Sequence, residues 1–149
     1  MYNIDRINTM IEDIKKFFAD LDTINPNENN IENPEILHST SMLIFGIMNR
    51  SIDIAQEIIV KNEIGMPQKY GESFSILGDK GIIDKKLIVD IEKLIEKRGL
   101  FAHHYYDVNK KEVIKLSKDI NIVKKFVESV KKLIERDMKN KNDRNKQIG

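Results

Sequence analysis

The stretch Pro34-Glu-Ile-Leu-His-Ser-Thr-Ser-Met42-Leu43-Ile-Phe45-Gly-Ile47-Met48-Asn-Arg50-Ser-Ile52-Asp53-Ile-Ala55-Gln-Glu-Ile58-Ile59-Val-Lys-Asn62 decides the architecture. Its apolar residues, Met42, Leu43, Phe45, Ile47, Met48, Ile52, Ala55, Ile58 and Ile59, are spread over more than one side of a helix. A surface helix shows one apolar stripe, so a helix apolar on several sides is central to a bundle or shared with a partner subunit. Asn33-Pro34 supplies the start signal, a capping side chain followed by proline where its missing N–H costs nothing. Arg50 and Asp53 lie three residues apart on one face. They read as a surface ion pair, with a role in a site as the alternative.

Upstream, Ile4, Ile7, Ile11, Ile14, Phe18 and Leu21 recur at steps of three and four, which lays one apolar stripe along a helix from about residue 3 to 21. Thr23 to Asn33 is rich in asparagine and contains Pro26, so it reads as a loop. Downstream, Gly65-Met-Pro67 ends the central helix, and Glu72 to Leu77 reads as a short helical turn closed by Gly78 and Gly81. Asp84 is a plausible N-cap for a helix in which Leu87, Ile91, Leu94 and Ile95 face inward, with Arg98 on nearly the same side. Asn109-Lys-Lys-Glu112 has the spacing of a capping box. From it one last helix carries Val113, Leu116, Ile120, Val123, Val127, Val130 and Ile134 in register. No strand-period alternation of useful length and no internal repeat occurs. These elements predict an all-α antiparallel four-helix bundle with an additional short helix. Residues 1–138 are expected to form one helical domain, and 139–149, Lys- and Asn-rich, a flexible basic tail.

At 149 residues the chain can bury a core without covalent help. It has no cysteine, which excludes disulfides, thiolate zinc sites and thiol nucleophiles and fits a reducing, cytoplasmic setting. Met1-Tyr-Asn-Ile-Asp-Arg6 enters at once into a charged amphipathic pattern, so neither a signal peptide nor a membrane span is expected. The net charge of +1 conceals a gradient, acidic residues crowding the first third and basic ones the region from Lys124 to Lys146. A nucleic-acid footprint and a solvated helix face both fit that basic end.

The residues that carry chemistry are concentrated in Arg98-Gly99-Leu-Phe-Ala-His103-His104-Tyr105-Tyr106, which holds two of the three histidines and two of the four tyrosines. Arginine offers a permanently charged fork suited to phosphate. Histidine exchanges protons near neutral pH. Tyrosine can stack on a base or hydrogen-bond a phosphate oxygen. Together they suit metal-free phosphodiester cleavage, in which a base deprotonates a ribose 2′-OH, an acid protonates the leaving oxygen and a cation stabilises the charge building on phosphorus. The same residues also suit packing at a helix junction, and on residue chemistry alone both readings stand. Adjacent histidines on a helix point about 100° apart and no carboxylate cluster accompanies them, so no metal site is expected. There is no Gly-rich phosphate loop and no Walker pattern.

Arg98, four residues, His103, one residue and Tyr105 match the R-x4–6-H-x-Y signature of HEPN-fold proteins; Arg98 with His104 and Tyr106 satisfies the looser spacing. The run from Arg50 to Val60 resembles the second helix of the HepT-like family. So do Gly65 through Leu77, Lys80-Gly-Ile-Ile-Asp84, and Leu94 through Tyr105. The resemblance spans about residues 36–137. It implies a metal-independent ribonuclease toxin of a type VII HepT/MntA toxin–antitoxin pair, acting on RNA such as tRNA without a cofactor. It also implies a homodimer that brings two motifs to one cleft, and an MntA-like minimal nucleotidyltransferase antitoxin that transfers AMP to the motif tyrosine. Carried over by residue, Arg98 binds the scissile phosphate, His103 acts as acid or base, and Tyr105 contacts RNA and accepts AMP. His104 and Tyr106 are the reserve pair. Gly99 departs from the family pattern, which places a polar residue there. The alternatives from other classes are a non-catalytic HEPN module that binds a nucleotide or partner protein, and a structural helical adaptor.

Overall fold

The structure, a computed structural model, describes residues 3–62, 65, 71–103 and 108–148, without the side chains of Ala102 and His103. The described residues form seven helices and no strand: α1 (Ile4–Ile24), α2 (Pro34–Lys61), α3 (Glu72–Asp79), α4 (Lys85–Ile95), α5 (Arg98–His103), α6 (Lys110–Asp119) and α7 (Ile122–Ile148). None of them is long and apolar enough to cross a membrane.

The α1 stripe is buried as its spacing requires, with Ile7, Ile11, Ile14, Phe18 and Leu21 all in the core. Asn3 caps the helix by accepting from the Arg6 N–H at 3.0 Å. α1 outruns the expected end by one turn and stops at Asn25, whose φ of 47° is a left-handed conformation that asparagine tolerates. The Asn-rich loop that follows is tied by its own side chains. Asn30 Oδ1 accepts from the Asn27 N–H at 2.8 Å and Asn30 Nδ2 donates to the Asn25 carbonyl at 3.1 Å, while Ile31 drops into the core.

α2 is the central element and packs against α1, α3, α5 and α6. As α1 partners advance from Asn3 through Asp13 to Phe17, their α2 partners retreat from Glu57 through Arg50 to Gly46, so the two helices run antiparallel. Ser41 and Ser51 face the core and return their hydroxyls to carbonyls one turn back, at 2.8 Å each. α3 and α7 meet through Phe74 and Phe126, both fully buried, ring centres 5.4 Å apart and edge to face at 66°.

Several local expectations change. α4 stops at Ile95, where Lys97 N–H bonds the Leu94 carbonyl three residues back, and a new helix, α5, starts at Arg98. Ile88, rather than Leu87, joins Ile91, Leu94 and Ile95 in the core. The last helix is two helices, interrupted at Ile120-Asn121, yet every apolar residue named for it from Val113 to Ile134 is buried. Asn109 caps α6 through the Lys111 N–H at 2.8 Å; Glu112 meets Lys97 at 3.4 Å, so no reciprocal capping box forms. α7 continues as a helix to Ile148, and its residues 135–148 are all exposed.

Candidate functional site

The interruption between α4 and α5 determines where Arg98 lies. As the first residue of α5 it is half-buried against α2, with Nε donating to Asn49 Oδ1 at 2.7 Å and its guanidinium 5.0 Å from the centre of the Phe45 ring. A short charge-assisted bond on one side and an aromatic face on the other fix the plane of the fork. One of the arginine's five donors is thereby committed to orientation.

Arg98 lines a cavity of about 410 Å3 between α1, α2 and α5. α2 contributes Asn49, Asp53 and Gln56, spaced so that they share one helix face, and Gly46 lets the Phe17 ring of α1 approach closely. A Cβ at Gly46 would lie 3.0 Å from that ring. Arg50 stands at the rim, its Nε 3.1 Å from Asp13 and its Nη1 3.1 Å from Asp53. The pair with Asp53 is the one the sequence spacing suggests; Asp13, which ties the cation to α1, is a tertiary partner no local pattern could show. The expected ion pair is present, and the paired arginine is part of the cavity's wall. The cavity suits an anion at the Arg98 end and a flat group beside Phe17.

Of the residues singled out in the motif, Arg98 is placed in full and His103 by its backbone, as the last residue of α5. Tyr105, His104 and Tyr106 lie outside the described residues. Asn49 and Gln56 were missed from the sequence. The available signal was their recurrence with Asp53 as a polar row in an otherwise apolar helix. Among the described residues no three His, Asp or Glu side chains gather where they could hold a metal ion. A larger groove, about 560 Å3, runs between α4 and α7. There Lys86, Lys124, Lys125 and Lys132 are offset by Asp84, Asp90 and Glu128, and Arg98 does not reach it. The smaller cavity is the better candidate because it holds the oriented motif arginine.

The family model described as Ribonuclease HepT-like matches residues 7–130. An mRNA nuclease HepT from Shewanella oneidensis is 31% identical over 58 residues, covering 39% of this chain and 44% of that protein. The matched stretch thus spans less than half of that relative's length. Among solved structures, the chain resembles a tri-AMPylated Shewanella oneidensis HEPN toxin in complex with an MNT antitoxin. The TM-score is 0.79 at 21% identity, over 87% of this chain and 98% of that one. A toxin–antitoxin complex with AMP-PNP matches at a TM-score of 0.78 and 20% identity, over 85% and 98%. YutE of Bacillus subtilis, a cytosolic protein of unknown function, matches at 0.79 and 18%, over 92% and 95%. At these identities the likenesses show the fold, an all-α HEPN-like bundle.

Proposed function

The chain belongs to the ribonuclease HepT-like family, and on that premise we propose that it is a metal-independent endoribonuclease toxin of a toxin–antitoxin pair, working in the cytoplasm. The observation that carries the reading is the placement of Arg98, oriented by Asn49 and Phe45 at the wall of a cavity, with His103 one short helix further on.

In the proposed reaction Arg98 binds the scissile phosphate and offsets the charge that builds on it. A base removes the proton of the ribose 2′-OH, whose oxygen attacks phosphorus. The bond from phosphorus to the 5′ oxygen breaks, and an acid delivers a proton to that leaving oxygen. The products are a 2′,3′-cyclic phosphate and a free 5′-OH. His103 takes one of the proton-transfer roles, and a homodimer supplies a second motif to the same cleft. Tyr105 contacts RNA and is the acceptor of AMP from an MntA-like nucleotidyltransferase antitoxin; His104 and Tyr106 are the reserve pair. Support for the partner comes from the fold likeness to a HEPN toxin crystallised with an MNT antitoxin. Support for the compartment comes from the cytosolic YutE.

The test is cleavage of end-labelled tRNA in EDTA by protein whose mass excludes added AMP, beside Arg98→Ala and His103→Ala. Cyclic-phosphate ends produced by the wild type and lost in both variants are expected. An unmodified protein that binds RNA but cuts none would overturn the nuclease reading in favour of a binding module.

A further inference from the structure

We propose that the cavity beside Arg98 is a subsite for one nucleobase of a single-stranded RNA, and that Gln56 on α2 selects the base. The inference rests on the ribonuclease reading above and adds a specificity determinant to it.

Size comes first. About 410 Å3 lies toward the lower end of the range of small-molecule pockets, roughly 300–1,000 Å3, and suits a group no larger than one nucleotide. Shape comes next. The Phe17 ring forms one wall, taking the place a side chain at position 46 would occupy, and Ile52, 3% exposed, is a further apolar lining residue. The result is a slot of mixed polarity with one aromatic wall, and aromatic side chains are the surfaces on which proteins stack the splayed bases of unpaired RNA.

The polar groups are placed to read what enters. Asn49 and Gln56 are seven residues apart on the cavity face of α2, about 10 Å along the axis at the helical rise. That distance is comparable to the reach from a nucleotide's phosphate, across its ribose, to the outer edge of its base. A phosphate held at Arg98, beside Asn49, therefore sets the base edge near Gln56. The Gln56 amide is half-buried and makes no hydrogen bond among the described residues. An amide offers donor and acceptor side by side, a pattern that separates one base edge from another. Arg50, which lines the same cavity, is held by Asp13 and Asp53.

The experiment uses chimeric oligonucleotides with one ribonucleotide in a 2′-deoxy strand, so that cleavage is confined to one bond. The base on each side of that bond is varied in turn. The full chain, Gln56→Ala and Gln56→Glu are compared by kcat/KM, with far-UV circular dichroism confirming equal helicity. The wild type is expected to prefer one base, Gln56→Ala to lose about tenfold of that preference, and Gln56→Glu, which exchanges donors for acceptors, to reorder it. A wild type that cuts without preference, or variants that keep the wild-type ratios, would overturn the inference and leave the ribonuclease reading standing. A wild type that cuts none of the substrates would overturn the ribonuclease reading, and the inference with it.

Discussion

Arg98 and Asn49, separated by forty-nine positions in sequence, meet through a single 2.7 Å bond from Nε to Oδ1. α2 contributes the acceptor and α5 the cation, so the direction of the guanidinium is set by how two helices pack rather than by the motif itself. An orienting bond to a charged group is worth about 1.5–3 kcal/mol, enough for a tenfold or larger change in rate. Asn49→Ala is therefore expected to lower kcat on RNA at least about tenfold with a much smaller change in KM. The double variant with Arg98→Ala should be no slower than Arg98→Ala alone. Multiplicative losses in the double variant would mean that Asn49 acts on something other than the arginine.

Gly99 follows Arg98 inside α5, and a Cβ there would meet nothing within 4 Å. Glycine is disfavoured in a helix by at most about 0.5–1 kcal/mol relative to alanine, less in a first turn such as this, and the open space offers no compensation. Gly99→Ala is expected to raise the melting temperature by about 2–4 °C per kcal/mol gained. Differential scanning calorimetry decides it; a fall in melting temperature would show that the helix break upstream needs a glycine.

Phe74 and Phe126 tie α3 to α7 at the centre of the core. Removing either ring leaves a cavity that surrounding helices fill incompletely. Phe126→Ala should cost about 3–5 kcal/mol, a large share of a typical domain's stability. Urea denaturation of both single variants and the double should reveal a coupling of about 0.5–1.5 kcal/mol, the part that belongs to the edge-to-face geometry. Additive losses would assign the whole effect to burial.

Helix identity and core composition were legible in the sequence because each depends on local spacing. The apolar positions from Val113 to Ile134 are buried even though the helix that carries them breaks at Ile120-Asn121. The breaks themselves were not legible. Neither Glu96-Lys97 nor Ile120-Asn121 contains proline or glycine, so no local signal marks the tightened turns there. Arg98 stood out by residue chemistry, while Asn49 and Gln56 acquire meaning only once α5 crosses α2. The Asp13–Arg50 pair was illegible for the same reason: its partners belong to different helices.

The boundary of the folded unit is a proposal with a direct test. All residues from 135 to 148 are exposed, although α7 remains helical through them. A chain ending at Met138 should match the full chain in urea midpoint to within about 0.5 kcal/mol, since surface residues away from special features contribute little. A larger drop would place part of the last turns inside the cooperative unit.

Gly46 has a consequence for how such a site can change over generations. Its missing side chain is what admits the Phe17 ring to the edge of the cavity, and a single added carbon would come within 3.0 Å of it. The ring would have to shift by a few tenths of an ångström or the helices would have to part. Glycine and alanine codons differ by one nucleotide. A lineage can therefore resize this chamber in one mutational step, without touching the arginine or its helix, making position 46 an economical dial for divergence among descendants that keep the same fold.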